Sequence, residues 1–71
     1  MCRSIKTLRK HDVIATDDEI RAAARQFVRK VTGFREPSAR HQDAFEAAID
    51  EVSVASKRVL EQIRTGLGAR A

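Results

Sequence analysis

Cysteine, proline, glycine and aromatic residues are all scarce in this chain of 71 residues: it carries one cysteine, one proline, three glycines, three phenylalanines, and neither tryptophan nor tyrosine. A single cysteine, Cys2, excludes an internal disulfide and favours a cytoplasmic setting. It also excludes the closely spaced cysteine pairs on which zinc sites are usually built. So few glycines leave no Gly-rich loop to cradle phosphate, and neither a nucleophile elbow nor a nucleotide motif is present. No apolar run is long enough to span a bilayer, and the N-terminus lacks the apolar core of a signal peptide. The aromatics are Phe27, Phe34 and Phe45, and the pattern assigns two of them to a core. A nucleic-acid-binding surface usually carries a stronger basic stripe with aromatic or Gly-rich support.

What remains is a small, mixed-charge chain, read as one domain over 1–71. A domain of this size buries only about 60% of its unfolded surface, so its stability is marginal and a homodimer would add cover. The net charge is +4. Arg3, Lys6, Arg9 and Lys10 stand in the first ten residues without an acid among them. Residues 1–13 therefore read as a basic arm, and Ile5 and Leu8, three apart, suggest one short helical turn within it. Residues 66–71, with Gly66 and Gly68, read as a frayed tail.

Two helices lie between. Thr16-Asp17-Asp18-Glu19 fits a capping box, and its three acids face the positive end of the helix dipole. Ile20, Ala24, Phe27 and Val31 then form an apolar stripe, widened by Ala23 and Val28. Gly33 supplies a left-handed stop. The pattern predicts a helix over about 17–32. Pro37 cannot continue it, and Ser38 is a reasonable cap for a longer helix over about 38–65. Phe45, Ala48, Val52, Ala55 and Val59 recur there at spacings of three and four, with Ile49, Ser56, Leu60 and Ile63 between them. Asp43, Asp50, Val54, Arg58 and Glu61 fall opposite. The short connection makes the two helices antiparallel neighbours. At 1.5 Å per residue the second is much the longer, so the end carrying Leu60 and Ile63 needs another cover. The Ile5/Leu8 turn or a second copy of the chain could supply it. The fold class is all-α.

Two resemblances follow from these stretches. Met1-Cys2-Arg3, Ile5-Lys6-Thr7-Leu8, Ala15-Thr16-Asp17-Asp18-Glu19-Ile20-Arg21-Ala22-Ala23-Ala24, Gln26-Phe27-Val28-Arg29-Lys30-Val31 and Pro37-Ser38 resemble a family of small bacterial proteins of unknown function that begin Met-Cys-Arg. Residues 5–60 also resemble J-domains, the co-chaperone modules that stimulate Hsp70. Ala15 to Ile20 followed by Ala23, Arg25, Phe27 and Lys30 is similar to the J-domain's second helix. Phe45, Ala48, Val52 and Ala55 are spaced like the apolar face of its third. The His-Pro-Asp signature would fall at Thr32-Gly33-Phe34, and none of those residues matches it. The resemblance implies an architecture and argues against Hsp70 stimulation.

Candidate sites are few. Arg21, Arg25 and Arg29 are four apart on one flank of the first helix, with Lys30 on the other. The J-domain resemblance makes this row a surface for an acidic protein partner. Phosphate backbone is the rival ligand, since a row of cations displaces counterions. A plain solvated face, partly neutralised by Asp17, is the third reading. Removal of Met1 would leave Cys2 with a free amine, and Arg3 beside it would favour the thiolate. Cys2 and Arg3 are thus a candidate reactive thiol, for redox or metal chemistry. His11 and His41 are too scattered to join Cys2 in a metal site, and no cofactor is implied. Asp43, Glu46, Asp50 and Glu51 read as solvated, without the cleft that general acid–base catalysis needs. The chain reads as a non-enzymatic protein-interaction module with a degenerate J-domain-like fold. A small nucleic-acid-associated protein is the alternative, and a protein built on Cys2 the third.

Overall fold

The structure, a computed structural model, describes residues 6–10 and 13–66. Two short strands come first, β1 at Arg9–Lys10 and β2 at Val13–Ile14. They pair antiparallel, Arg9 opposite Ile14 and Lys10 opposite Val13. The Ala15 N–H donates to the Leu8 carbonyl at 2.8 Å and extends the pairing by one bond. Helix α1 spans Asp17–Thr32, a single 3-10 turn spans Ala39–His41, and helix α2 spans Gln42–Thr65. The protein is therefore mainly helical, an antiparallel hairpin of unequal arms with a small β-ribbon at its open end.

The start of α1 is closed by the capping box. The Glu19 N–H donates to Thr16 Oγ1 at 3.2 Å, and the Thr16 N–H donates to Glu19 Oε1 at 2.9 Å. Two orphan amides are satisfied reciprocally, while the acids of the first turn meet the positive end of the dipole. Lys6 Nζ reaches Glu19 Oε2 at 3.2 Å and ties the N-terminal arm to the same cap. At the other end Gly33, with φ 77°, adopts the left-handed conformation, and its N–H donates to the Arg29 carbonyl at 2.8 Å. A β-carbon is strained in that conformation, which is why glycine stands there. The long helix is divided where the sequence pattern ran it continuously from residue 38. Ser38 precedes the 3-10 turn but makes no side-chain cap bond, and the α-helical ladder begins at Gln42.

Ile20, Ala24 and Val28, four apart on α1, are buried against Phe45 and Ile49 of α2, with Ala48 and Val52 partly buried beside them. Phe45 is the expected anchor, 3% exposed, and Val54 lies outside as its position predicts. The stripe on α1 is shifted from its expected phase. Phe27 is 45% exposed and Val31 63%, so both leave the core to Val28. The same orientation satisfies charge. A helix rotated to bury Ile20, Ala24 and Val28 carries Arg21 and Arg25 toward the acids of α2. Rotation toward Phe27 and Val31 would turn those arginines away from them.

A second correction concerns the arm. Residues 6–10 form no helical turn; Leu8 leads into β1, and Ile5 lies outside the described residues. A ribbon serves the same purpose as the expected turn. β2 packs against α2, and Leu60 is buried. The cover is incomplete, since Val59 and Ile63 remain partly exposed.

Candidate interaction surface

The arginine row faces inward along one flank of the hairpin. Arg21 Nη2 lies 3.0 Å from Glu46 Oε1, and Arg21 Nη1 bonds Asp50 Oδ1. Arg25 Nη1 stands 3.6 Å from Glu46 Oε2, and Arg29 Nη2 stands 3.5 Å from Glu36 Oε2. Farther along the same flank Lys57 Nζ meets Asp17 Oδ1 at 2.9 Å. The four-residue spacing thus produces a ladder of ion pairs between α1 and α2, closed at the loop by Glu36. The Arg21 guanidinium is held above its ordinary pKa, first by the hydrogen bond to Asp50 and then by the charges of Asp50 and Glu46, against a desolvation cost. The Lys57 ammonium is raised likewise, first by its bond to Asp17. All these groups are partly exposed, so each pair adds little stability singly. Together they bridge α1 to α2 and to the loop along one flank.

Lys30 stands on the other flank and is exposed. It lines a concavity with Gln26, Arg29, Gly33, Phe34 and Arg35 at the C-terminal end of α1. Three cations converge there, and among the described residues neither Lys30 nor Arg35 has a carboxylate partner. Arg29 keeps its Nε–H buried without an acceptor. Phe34 is positioned from below by Thr32, whose hydroxyl donates to the Val28 carbonyl at 2.7 Å and accepts from the Phe34 N–H at 3.1 Å. The Phe34 ring stacks on His41 with centroids 5.5 Å apart and planes 20° apart. On α1, Phe27 and Val31 sit three residues before and one residue after Lys30. Phe27, being three from Lys30 and four from Val31, shares an outer edge with both.

Of the residues singled out by spacing, Arg21 and Arg25 are brought together with acids of α2, Arg29 with Glu36, and Lys30 with Phe34 and Arg35. Cys2 and Arg3, the candidate reactive thiol, and His11 lie outside the described residues. His41 is occupied with Phe34, and among the described residues no three histidine, cysteine, aspartate or glutamate side chains gather as metal ligands. No helix among the described residues is long and apolar enough to cross a membrane. Spacing alone did not single out Arg35 or the exposed edge of Phe27 and Val31. The available signal was the second apolar row, Ala23-Phe27-Val31, running beside Ile20-Ala24-Val28.

The chain belongs to a family of uncharacterized conserved proteins, DUF2277, whose model matches residues 1–70. No curated protein and no solved structure matches it. The family brings no activity with it, so function has to be argued from the surface itself.

Proposed function

We propose that this DUF2277 protein is a non-enzymatic protein-interaction module that docks its partner on the outer edge of α1, at Phe27 and Val31. One observation carries the reading: Phe27 and Val31, one turn apart, are 45% and 63% exposed in a chain with very little apolar core to spare. Single exposed apolar residues are ordinary, but a cluster of large ones rimmed by charge is the mark of a contact surface. Phe34, 39% exposed, lines a separate concavity with Lys30 at the loop. Aromatic anchors such as Phe27 dominate interface energetics.

Arg21 and Arg25 contribute differently from the J-domain expectation. With Glu46 and Asp50 beside them, they orient α1 and so present the edge. The J-domain likeness is kept as architecture only: a degenerate hairpin with Thr32-Gly33-Phe34 in place of the signature, and a β-ribbon where a short first helix would stand. The test is site-specific photocrosslinking in cells, with the photoreactive residue at Phe27 or, as control, at Arg58 on the outer face of α2. A discrete adduct is expected at Phe27 alone. The adduct partner, purified and mixed with the full chain, should bind the wild type and not Phe27→Ser. Equal crosslinking at both positions, or binding indifferent to Phe27→Ser, overturns the proposal.

A further inference from the structure

We infer that the partner docked on the outer edge of α1 is a second copy of this chain, packed antiparallel across a two-fold axis so that Phe27 of each copy enters a notch beside Ala22 and Ala23 of the other. The inference rests on the docking surface proposed above and names its occupant.

The notch comes first. Glu19, Ala22, Ala23 and Gln26 of α1, with Lys6 of the arm, line a depression of about 220 Å³. It exists because two alanines stand between longer side chains, Gln26 at one end and Glu19, held by Lys6, at the other. An apolar cavity of about 150 Å³ accepts a benzene ring, so a phenylalanine ring has room here. Phe27, 45% exposed, stands on the same side of α1 one turn beyond Ala23.

A ring and a notch one turn apart on one helix edge are self-complementary. Under a two-fold axis each copy supplies what the other lacks, and both contacts form at once. With the axis midway between Ala23 and Phe27, Phe27 of one copy stands level with Ala23 of the other. Lys30 then comes, measured along the helix, within about 1.5 Å of the level of Glu19 in the second copy. Among the described residues Lys30 has no carboxylate partner. The Glu19 side chain is 44% exposed despite its bond to Lys6, so it has room for a second cation. Opposite charges thus meet twice, once at each end of the contact. The alanines also let the two axes approach toward the lower end of the roughly 8–10 Å found between packed helices.

Two terms limit the affinity. Each copy carries a net charge of +4, which opposes association. A contact confined to one edge of a 16-residue helix belongs with the small, transient interfaces below about 1,200 Å². The dimer should therefore be concentration-dependent, with a dissociation constant on the order of 100 μM.

The experiment is sedimentation equilibrium of the full chain from about 10 μM to about 1 mM, with amide chemical shifts followed over the same dilution series. The mean mass is expected to rise from one chain toward two, and the amides of Ala22, Ala23, Gln26, Phe27 and Lys30 to move with it. Phe27→Ser removes the ring, and Ala22→Gln fills the notch from an exposed position. Each should raise the dissociation constant about tenfold or more while keeping the wild-type circular dichroism spectrum. An equal mixture of these two variants should dimerise more readily than either alone, because one intact ring then meets one open notch. Lys30→Gln, which removes two symmetric pairs, should raise the constant about threefold or more. A chain that stays monomeric throughout the series overturns the inference; if Phe27 then still crosslinks a different protein, the docking surface stands. A dimer indifferent to both variants, with shifts at Val59 and Ile63 instead, also overturns the inference, and absence of the Phe27 adduct in that case removes the docking surface with it.

Discussion

Replacing Phe45 and Phe27 in turn by alanine tests the arrangement of the hairpin most directly, because the same chemical change should cost several times more at one position than at the other. Phe45 is 3% exposed and packed against Ala24, Val28 and Ile49, so its removal leaves a cavity between the helices. Phe→Ala at such a site costs about 3–5 kcal/mol, transfer and cavity together. A chain of this length has roughly 4–10 kcal/mol in all. The variant should therefore lose at least roughly 12 °C in Tm. Phe27 is 45% exposed. Water fills the space its ring leaves, so only part of a full burial term of about 1.5–3 kcal/mol is lost. Alanine also favours helix more than phenylalanine does, which returns a fraction of that. The net cost of Phe27→Ala is about 1 kcal/mol. Urea denaturation followed by far-ultraviolet circular dichroism measures both. Equal losses at the two positions would refute the phase of α1. A Phe27→Ala loss that grows with protein concentration would place Phe27 in a contact between copies of the chain.

Acid titration probes the cap. The backbone bond from Thr16, followed by the bond and charge of Lys6, holds the Glu19 carboxyl below its ordinary range. A carboxyl with a depressed folded pKa stabilises above its unfolded value of about 4.3 and loses that contribution as pH falls through the folded value. Stability should decline below that point, and Lys6→Gln should weaken the dependence in a pH series of thermal melts. Arg21→Gln removes the bonds to Glu46 and Asp50; it should lower Tm in dilute buffer, with the difference narrowing as salt is added. Gly33→Ala meets no atom within 4 Å, so only the left-handed backbone resists it. Its cost should be about 1–2 kcal/mol by urea denaturation, and a neutral result would mean that the loop relaxes out of this conformation. On the J-domain-like architecture proposed above, Thr32-Gly33-Phe34 replaces the signature, and steady-state ATPase of a cognate Hsp70 should not rise on addition of the chain.

The elements that carry their own chemistry were legible in advance. Thr16 to Glu19 states where α1 begins, Gly33 where it ends, and Phe45 names the anchor of α2. These are local signals, each confined to a few neighbouring residues. The arm was misread for the opposite reason. Ile5 and Leu8 are too few to distinguish a turn of helix from a strand, and the Leu8–Ala15 bond joins residues whose pairing no local spacing announces. Phase on α1 failed at a different level. Ile20-Ala24-Val28 and Ala23-Phe27-Val31 are both acceptable apolar rows, and hydrophobicity does not choose between them. The observed face is the one that lets Arg21 bond Glu46 and Asp50, twenty-five or more residues away.

That choice links the fold to the surface. Because Arg21 and Arg25 are neutralised by α2, the flank that looks most basic in sequence is the least available to a ligand. The rotation that satisfies them leaves Phe27 and Val31 in water and leaves Lys30 on the same edge. Gly33 and Thr32 then turn the chain so that Phe34 and Arg35 close around Lys30 instead of continuing α1 into solvent. An exposed apolar edge on α1 thus accompanies the pairing of the other flank. Weakening the ladder at Arg21 should blur the edge before it unfolds the chain, since ion pairs this exposed set orientation more than they set stability.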